Sequence, residues 1–141
     1  MIELAYSIIL NSFCDKKDKG GEPYIFHLKR VADNFKNDEK LYTIALLHDL
    51  VEDCAEWGIE KLEEYFDLSI FMAVDALTKR KGENYYDYML RVASNENAIK
   101  VKLADLKDNM DLSRIKTPLT KKDIERTQKY HAAYLLLLGM I

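Results

Sequence analysis

The chain has little of what marks the special classes of protein. It contains two cysteines, Cys14 and Cys54, where a secreted scaffold stapled by disulfides needs a dense framework of them. Two scattered thiols fit a reduced, intracellular chain. No apolar run approaches the ~18 residues of a membrane helix. The longest, Ala132 to Ile141, carries Tyr134 and Gly139, so no membrane association is expected. Met1 runs straight into Ile2–Glu3–Leu4 with no basic segment, so no secretory signal is expected and the cytoplasm is the expected compartment. There is no basic excess either: the net charge is -3, which disfavours a polymeric nucleic acid as partner. Only five glycines and two prolines interrupt the chain, and no repeat, linker or low-complexity tract is visible.

What is present is helical pattern. Of 141 residues, 48% are hydrophobic and 32% charged, a composition that excludes intrinsic disorder and supports one domain with its own core, residues 1–141. Apolar residues recur at three- and four-residue spacing. Ile2, Ala5, Ile9 and Phe13 form one stripe, and Ile25, Leu28, Val31, Ala32 and Phe35 a second. Asn37–Asp38 offers an N-cap to a third helix, Leu41 through Val51. Ile59–Phe66, Leu68–Leu77, Tyr85–Ala93 and Ala98–Leu112 follow, the last with Asn95 as its cap. Thr120 to Asp123 resembles a capping box before a final helix at about 121–138. No hairpin turn lies between alternating runs. The expectation is an all-α single domain of seven or eight helices.

The chemistry concentrates in the third helix, where Ala45–Leu46–Leu47 is followed by His48–Asp49–Leu50–Val51–Glu52–Asp53. On one continuous helix His48, Asp49, Glu52 and Asp53 fall within an arc of about 140°. The spacing fits a solvent-facing polar stripe. It equally fits a cation site, because burying carboxylates and an imidazole together is costly unless a cation gathers them. Two other segments add donors: His27 opens a helix just after a Gly/Pro turn, and Asp105 sits in an apolar helix with Asn109 one turn on. Two imidazoles and two carboxylates make a mixed nitrogen and oxygen set suited to manganese, iron or zinc.

The words around these residues carry a resemblance. His27, the His48–Asp49 pair and Asp105 follow the H…HD…D order of the HD phosphohydrolase superfamily. GEPYIFH, ALLHDLVED, ALTK and VKLADLKDN resemble the GEPYIxHP, ALLHDVVED, GVTK and KLADRxHN segments of the Rel/Spo family, in its guanosine tetraphosphate (ppGpp) hydrolase domain. The resemblance runs from about residue 16 to 114. It implies an HD-domain fold and a hydrolase-only module. It further implies that His27, His48, Asp49 and Asp105 hold one divalent ion, with manganese first and Fe2+ or Zn2+ as substitutes. Glu52 and Asp53 match the family's Glu-Asp pair, which assists the attacking water and the departing group. Lys19, Tyr24, Thr78, Lys79, Lys102 and Asn109 match positions near the substrate. The function implied is metal-dependent hydrolysis of a nucleotide phosphate or pyrophosphate, including the 3′-pyrophosphate of ppGpp. A nucleoside monophosphate phosphatase, a cyclic-dinucleotide phosphodiesterase and a weakly catalytic nucleotide-binding module are the alternatives. The partner implied is a small nucleotide; the sequence says nothing of oligomeric state.

This chain also departs from the family pattern. Asp18–Lys19 stands where the family has Arg-Lys, with Lys17 one residue away as a substitute. The family's DRxHN is here Asp105–Leu106–Lys107–Asp108–Asn109, one basic residue poorer and one acidic residue richer. These changes fall on nucleotide-reading positions and leave the ligand set intact. Lys79, Arg80 and Lys81 read either as a solvated helix end or as a phosphate-receiving patch. Trp57 either caps the core or walls the site. His131 is expected at the edge of the core, Tyr85, Tyr88 and Met89 in the core, and Tyr86 exposed.

Overall fold

The computed structural model describes residues 1–140; Ile141, the end of the last apolar run and of the expected domain, lies outside them. Eight helices and one further single turn account for the described fold. They are α1 (Ile2–Ser12), α2 (Ile25–Ala32), α3 (Glu39–Leu47), the single turn α4 (Leu50–Asp53), α5 (Ile59–Glu63), α6 (Leu68–Ala76), α7 (Tyr85–Ala93), α8 (Glu96–Asn109) and α9 (Lys121–Leu138). The all-α expectation is borne out. The helices start where short polar side chains can take the first free backbone N–H groups. Asp38 accepts from the Leu41 N–H, Asn84 from Asp87 and Asn95 from Ala98. Thr120 and Asp123 form the expected capping box.

Helix α3 is the spine. Thr43 through Leu47 are all buried. It packs on α1, α2, α6 and α8, and α9 lies across α7 and α8. Ala5, Ile9 and Phe13 from α1 and its end join Leu28, Val31 and Ala32 from α2 in one core with Ile44, Leu46 and Leu50. Burial of this kind contributes ~25 cal/mol per Å² of apolar surface. Among the described residues no helix is long and apolar enough to cross a membrane. Both thiols are free, Cys14 exposed and Cys54 buried.

The expected continuous helix from Leu41 to Val51 is corrected by the structure. It breaks at His48–Asp49, with Asp49 at φ -103° and ψ 0°. The reason is local. The His48 Nδ1–H donates to the Ala45 carbonyl at 2.6 Å. That carbonyl is then occupied, and the Asp49 N–H has no regular i–4 acceptor. The 140° arc therefore does not describe the site: the break turns His48 inward and re-aims Asp49. His131 is also corrected. It is exposed on α9, which is anchored by Ala133 and Leu137 instead. Trp57 caps the core, 9% exposed, with Tyr65 against it and the Lys61 ammonium 4.3 Å from its ring centre.

Candidate metal centre and its two cavities

Three elements bring the expected ligands together. His27 comes from the first turn of α2, His48 and Asp49 from the α3–α4 break, and Asp105 from the middle of α8. One donor atom from each of these four residues lies within 4.8 Å of the others. His27, His48 and Asp105 are buried, and Asp49 is nearly so.

The ring orientations are fixed from behind. With Nδ1–H of His48 given to Ala45, its Nε2 presents a lone pair. That Nε2 is buried with no hydrogen-bond partner, 3.2 Å from Asp49 Oδ2 and 3.2 Å from Asp105 Oδ1. A lone pair facing two carboxylate oxygens is repulsive unless a proton or a cation lies between them. His27 is held in the same way: its Nδ1–H donates to Asp108 Oδ2 at 2.6 Å, while Nε2 sits 2.9 Å from Asp105 Oδ1. Arg30 grips Asp108 through two hydrogen bonds of 2.8 and 3.1 Å, and Arg114 adds a contact of 3.3 Å. Carboxylate–imidazole pairs of this sort orient metal-binding histidines. The donor set fits a divalent ion.

Burial opposes charge on His27, but its bonds to Asp105 and Asp108 outweigh that and push its pKa up to about 9. His48 rises well above its usual value: burial opposes it and the charges of Asp49 and Asp105 prevail. Asp105 is driven the other way. Burial would raise it, yet Lys102 and His48 hold it well below the carboxylate range. The Lys102 ammonium donates to Asp105 Oδ2 at 2.9 Å, Asn109 to Asp105 Oδ1 at 3.0 Å, and the Tyr24 hydroxyl to Asp49 Oδ2 at 2.6 Å. So Tyr24 and Asn109 act on the carboxylates as well as facing open space.

Two cavities meet here. The first, about 410 Å³, is lined by the Lys17–Gly20 loop, Tyr24, His27 and Arg30 on one side and by Asp108, Asn109, Arg114, Arg126 and Tyr130 on the other. The second, about 430 Å³, lies over Asp49, Glu52 and Asp105, with Lys79, Tyr85, Lys102 and Lys129 around it. Tyr24, Asp53, Asn109 and Tyr130 belong to both. Glu52 Oε1 accepts the Lys79 backbone N–H at 2.8 Å. Burial raises the Glu52 pKa against that bond, with Asp49 adding to the rise. Burial and the charges of Asp49 and Glu52 push Asp53 up to about 6.

Of the expected substrate-facing residues, Lys19 lines the first cavity and Lys79 and Lys102 the second. Thr78 lines neither; its hydroxyl donates to the Val74 carbonyl at 2.8 Å. Of the basic run, Lys79 alone faces a cavity. Asp18 is spent on its own loop, its Oδ1 accepting the Gly20 and Glu22 N–H groups, both at 2.9 Å. Asp108 was missed as the support of His27, although its place three residues after Asp105 puts both on one helix face. Arg126, Lys129 and Tyr130 were missed because nothing in a linear reading brings α9 over the site.

Comparison with known proteins agrees with this geometry. The HD domain family model matches residues 24–110. A guanosine-3′,5′-bis(diphosphate) 3′-pyrophosphohydrolase of Aquifex aeolicus is 30% identical over 99% of this chain and 22% of its own length. The enzyme of that name from Vibrio cholerae is 31% identical over 85% of this chain and 19% of its own length. A Streptomyces coelicolor protein named GTP pyrophosphokinase is 29% identical over 99% of this chain and 18% of its own. The chain thus spans about a fifth of the length of these relatives. Among solved structures, a metazoan ortholog of SpoT, described as hydrolysing ppGpp, superposes with a TM-score of 0.78 at 22% identity, covering 97% of this chain and 84% of that one. That likeness shows the fold.

Proposed function

We propose that this chain, which belongs to the HD domain family, is a metal-dependent phosphohydrolase that removes the 3′-pyrophosphate of ppGpp or a closely similar nucleotide. The observation that carries the reading is the bare, buried Nε2 of His48 facing two carboxylates, within a four-donor cluster open to two cavities. The curated relatives named as pyrophosphohydrolases support the substrate. A soluble cytoplasmic setting, where such nucleotides occur, goes with it.

His27, His48, Asp49 and Asp105 would hold the ion, and their mixed donors suit manganese. When bound, a divalent ion supplies Lewis acidity at the attacked phosphorus and acidifies water. In the reaction, the oxygen of water bonds to the phosphorus attached to the ribose 3′-oxygen. The bond to that ribose oxygen breaks and takes its electron pair there. Water gives up one proton and the ribose oxygen gains one. Asp53 lines both cavities, so it is placed to receive and return that proton. Glu52, pinned by the Lys79 N–H, orients the water. Lys19, Lys79 and Lys102 meet phosphate oxygens, and Tyr24 and Asn109 keep Asp49 and Asp105 aimed.

Asp18 favours weak guanine selectivity, because the position offers no cation to stack on a purine and its carboxylate is committed to the loop. This changes the meaning of an Asp18→Arg exchange: it would remove two loop bonds as well as add a cation. The deciding experiment is a screen of nucleotide hydrolysis with manganese, reading products from ppGpp, its adenine analogue, nucleoside monophosphates and cyclic dinucleotides. Release of pyrophosphate from ppGpp supports the reading. Turnover of monophosphates or cyclic dinucleotides alone would replace it.

A further inference from the structure

Ammonium groups with no carboxylate within 4.0 Å among the described residues stand at both cavities, Lys17 and Lys19 at the first and Lys79 and Lys129 at the second. In the first, the arginines are already bound to carboxylates: Arg30 to Asp108, Arg114 to Asp108 and Asp111, and Arg126 to Asp123. In the second, Lys102 is paired with Asp105. Lys129 instead lies 4.6 Å from the ring centre of Tyr85. Its pKa is lowered by partial desolvation and then by the like charges of Lys102 and Lys79.

Tyr85 supplies a second, independent observation. It packs against the core, as expected, and also lines this cavity. Its hydroxyl is buried with no hydrogen-bond partner in the protein. A buried hydroxyl left unpaired costs about 1–3 kcal/mol, so such groups are normally satisfied. The charged groups that act on it most are Lys102, Asp105 and Glu52, which places it on the site side of α7. An oxygen acceptor carrying negative charge would satisfy the hydroxyl and neutralise Lys129 together.

We propose that Tyr85 and Lys129 form the subsite for the distal phosphate of the transferred pyrophosphoryl group, and so set the preference for a pyrophosphate over a monophosphate. This rests on the hydrolase reading of the site and extends it to residues outside the family's motif words; Lys129 lies beyond the matched segment altogether. Both act by contact with a substrate oxygen remote from the bond that breaks. The chemistry is recognition of one phosphate by a hydroxyl donor and an ammonium.

The test uses full-length, manganese-loaded protein freed of unbound metal, with Tyr85→Phe and Lys129→Met. Calorimetry measures binding of inorganic pyrophosphate, and kinetics compares ppGpp with guanosine 5′-diphosphate 3′-monophosphate. Each variant is expected to bind pyrophosphate about 5- to 20-fold more weakly and to lose a similar factor in preference for the pyrophosphorylated substrate. Rates on the 3′-monophosphate, metal content and thermal midpoint should stay near wild type. Tyr85→Phe removes one unpaired hydroxyl, so a purely structural role predicts an unchanged or more stable protein with unchanged selectivity. Wild-type pyrophosphate binding and selectivity in both variants would overturn the subsite, even with ppGpp hydrolysis intact. If wild type turns over no nucleotide yet binds pyrophosphate in a manner dependent on Tyr85 and Lys129, the subsite stands and the hydrolase reading falls.

Discussion

The centre of the site and its rim are built on different terms. At the centre, every donor is held by a partner: His27 by Asp108, itself gripped by Arg30, His48 by the Ala45 carbonyl, Asp105 by Lys102 and Asn109, and Asp49 by Tyr24. At the rim, the Lys17–Gly20 loop and the face of α9 place long, solvent-reached side chains around open volume. Buried polar groups tolerate little change because each loss strands a partner. Exposed ones can be exchanged at small cost. The departures from the family words fall on both sides of that line: Asp18 lies on the rim loop, whereas Asp108 stands behind His27 at the centre and Leu106 is buried in the core.

The largest effect expected short of destroying the centre comes from the two carboxylates proposed to act on the water. Glu52→Gln and Asp53→Asn should each keep the metal and lose turnover by ~10²-fold or more, since positioned proton transfer contributes ~10²–10⁴-fold. Single-turnover rates and metal analysis on the same samples check this; near-wild-type rates in both would leave Glu52 and Asp53 as a polar stripe. Next comes the support behind His27. Asp108→Asn should weaken metal affinity by ~10–100-fold while leaving the fold in place, measured by competition with a chelating dye. Equal affinity would show that Asp108 serves Arg30 and Arg114 alone.

A pH effect should separate centre from rim in the metal-free protein. The His27 pKa in the fold is about 9, above the usual value of 6.5. A raised imidazole stabilises the fold fully below the unfolded value, and that contribution is lost as pH rises through the folded one. Chelated protein should therefore lose thermal stability between about pH 6.5 and 9, and His27→Gln should flatten the profile. Metal uptake should release protons, because the ion and the protons compete for the same Nε2 lone pairs. Calorimetry in buffers of different ionisation enthalpy reads that release.

The smallest effect is expected at the rim. A Cβ on Gly20 would sit 2.6 Å from the Arg114 carbonyl oxygen, so Gly20→Ala must shift the loop that carries Lys17 and Lys19. We expect a several-fold rise in KM, little change in kcat and unchanged metal content. A fall in kcat with KM unchanged would mean that the loop shapes the centre after all.

The same contrast governs what was legible in the sequence. The helices could be read because their caps are local: Asp38, Asn95 and Thr120 each bond a backbone N–H a few residues on. The four donors could be read because buried polar residues stand out in apolar helices. The break at His48 could not, because it depends on a side-chain bond to Ala45 that leaves no mark in periodicity. The spacing of Tyr85, Tyr88 and Met89 places all three against the core, as found, but leaves no mark of the cavity that Tyr85 and Tyr88 also line. Lys129 and Tyr130 reach the site through the packing of α9 on α8, a long-range fact. His131, the one histidine outside the cluster, points away because the buried stripe of α9 runs through Ala133 and Leu137.

The central claim is that the buried cluster is a divalent-metal centre. Elemental analysis of protein purified without chelators and reloaded with manganese tests it most directly, in wild type, His48→Ala and Asp105→Ala. The account predicts one ion per chain in wild type and little or none in either variant, with helical content retained by circular dichroism. Unchanged metal content in both folded variants would contradict it.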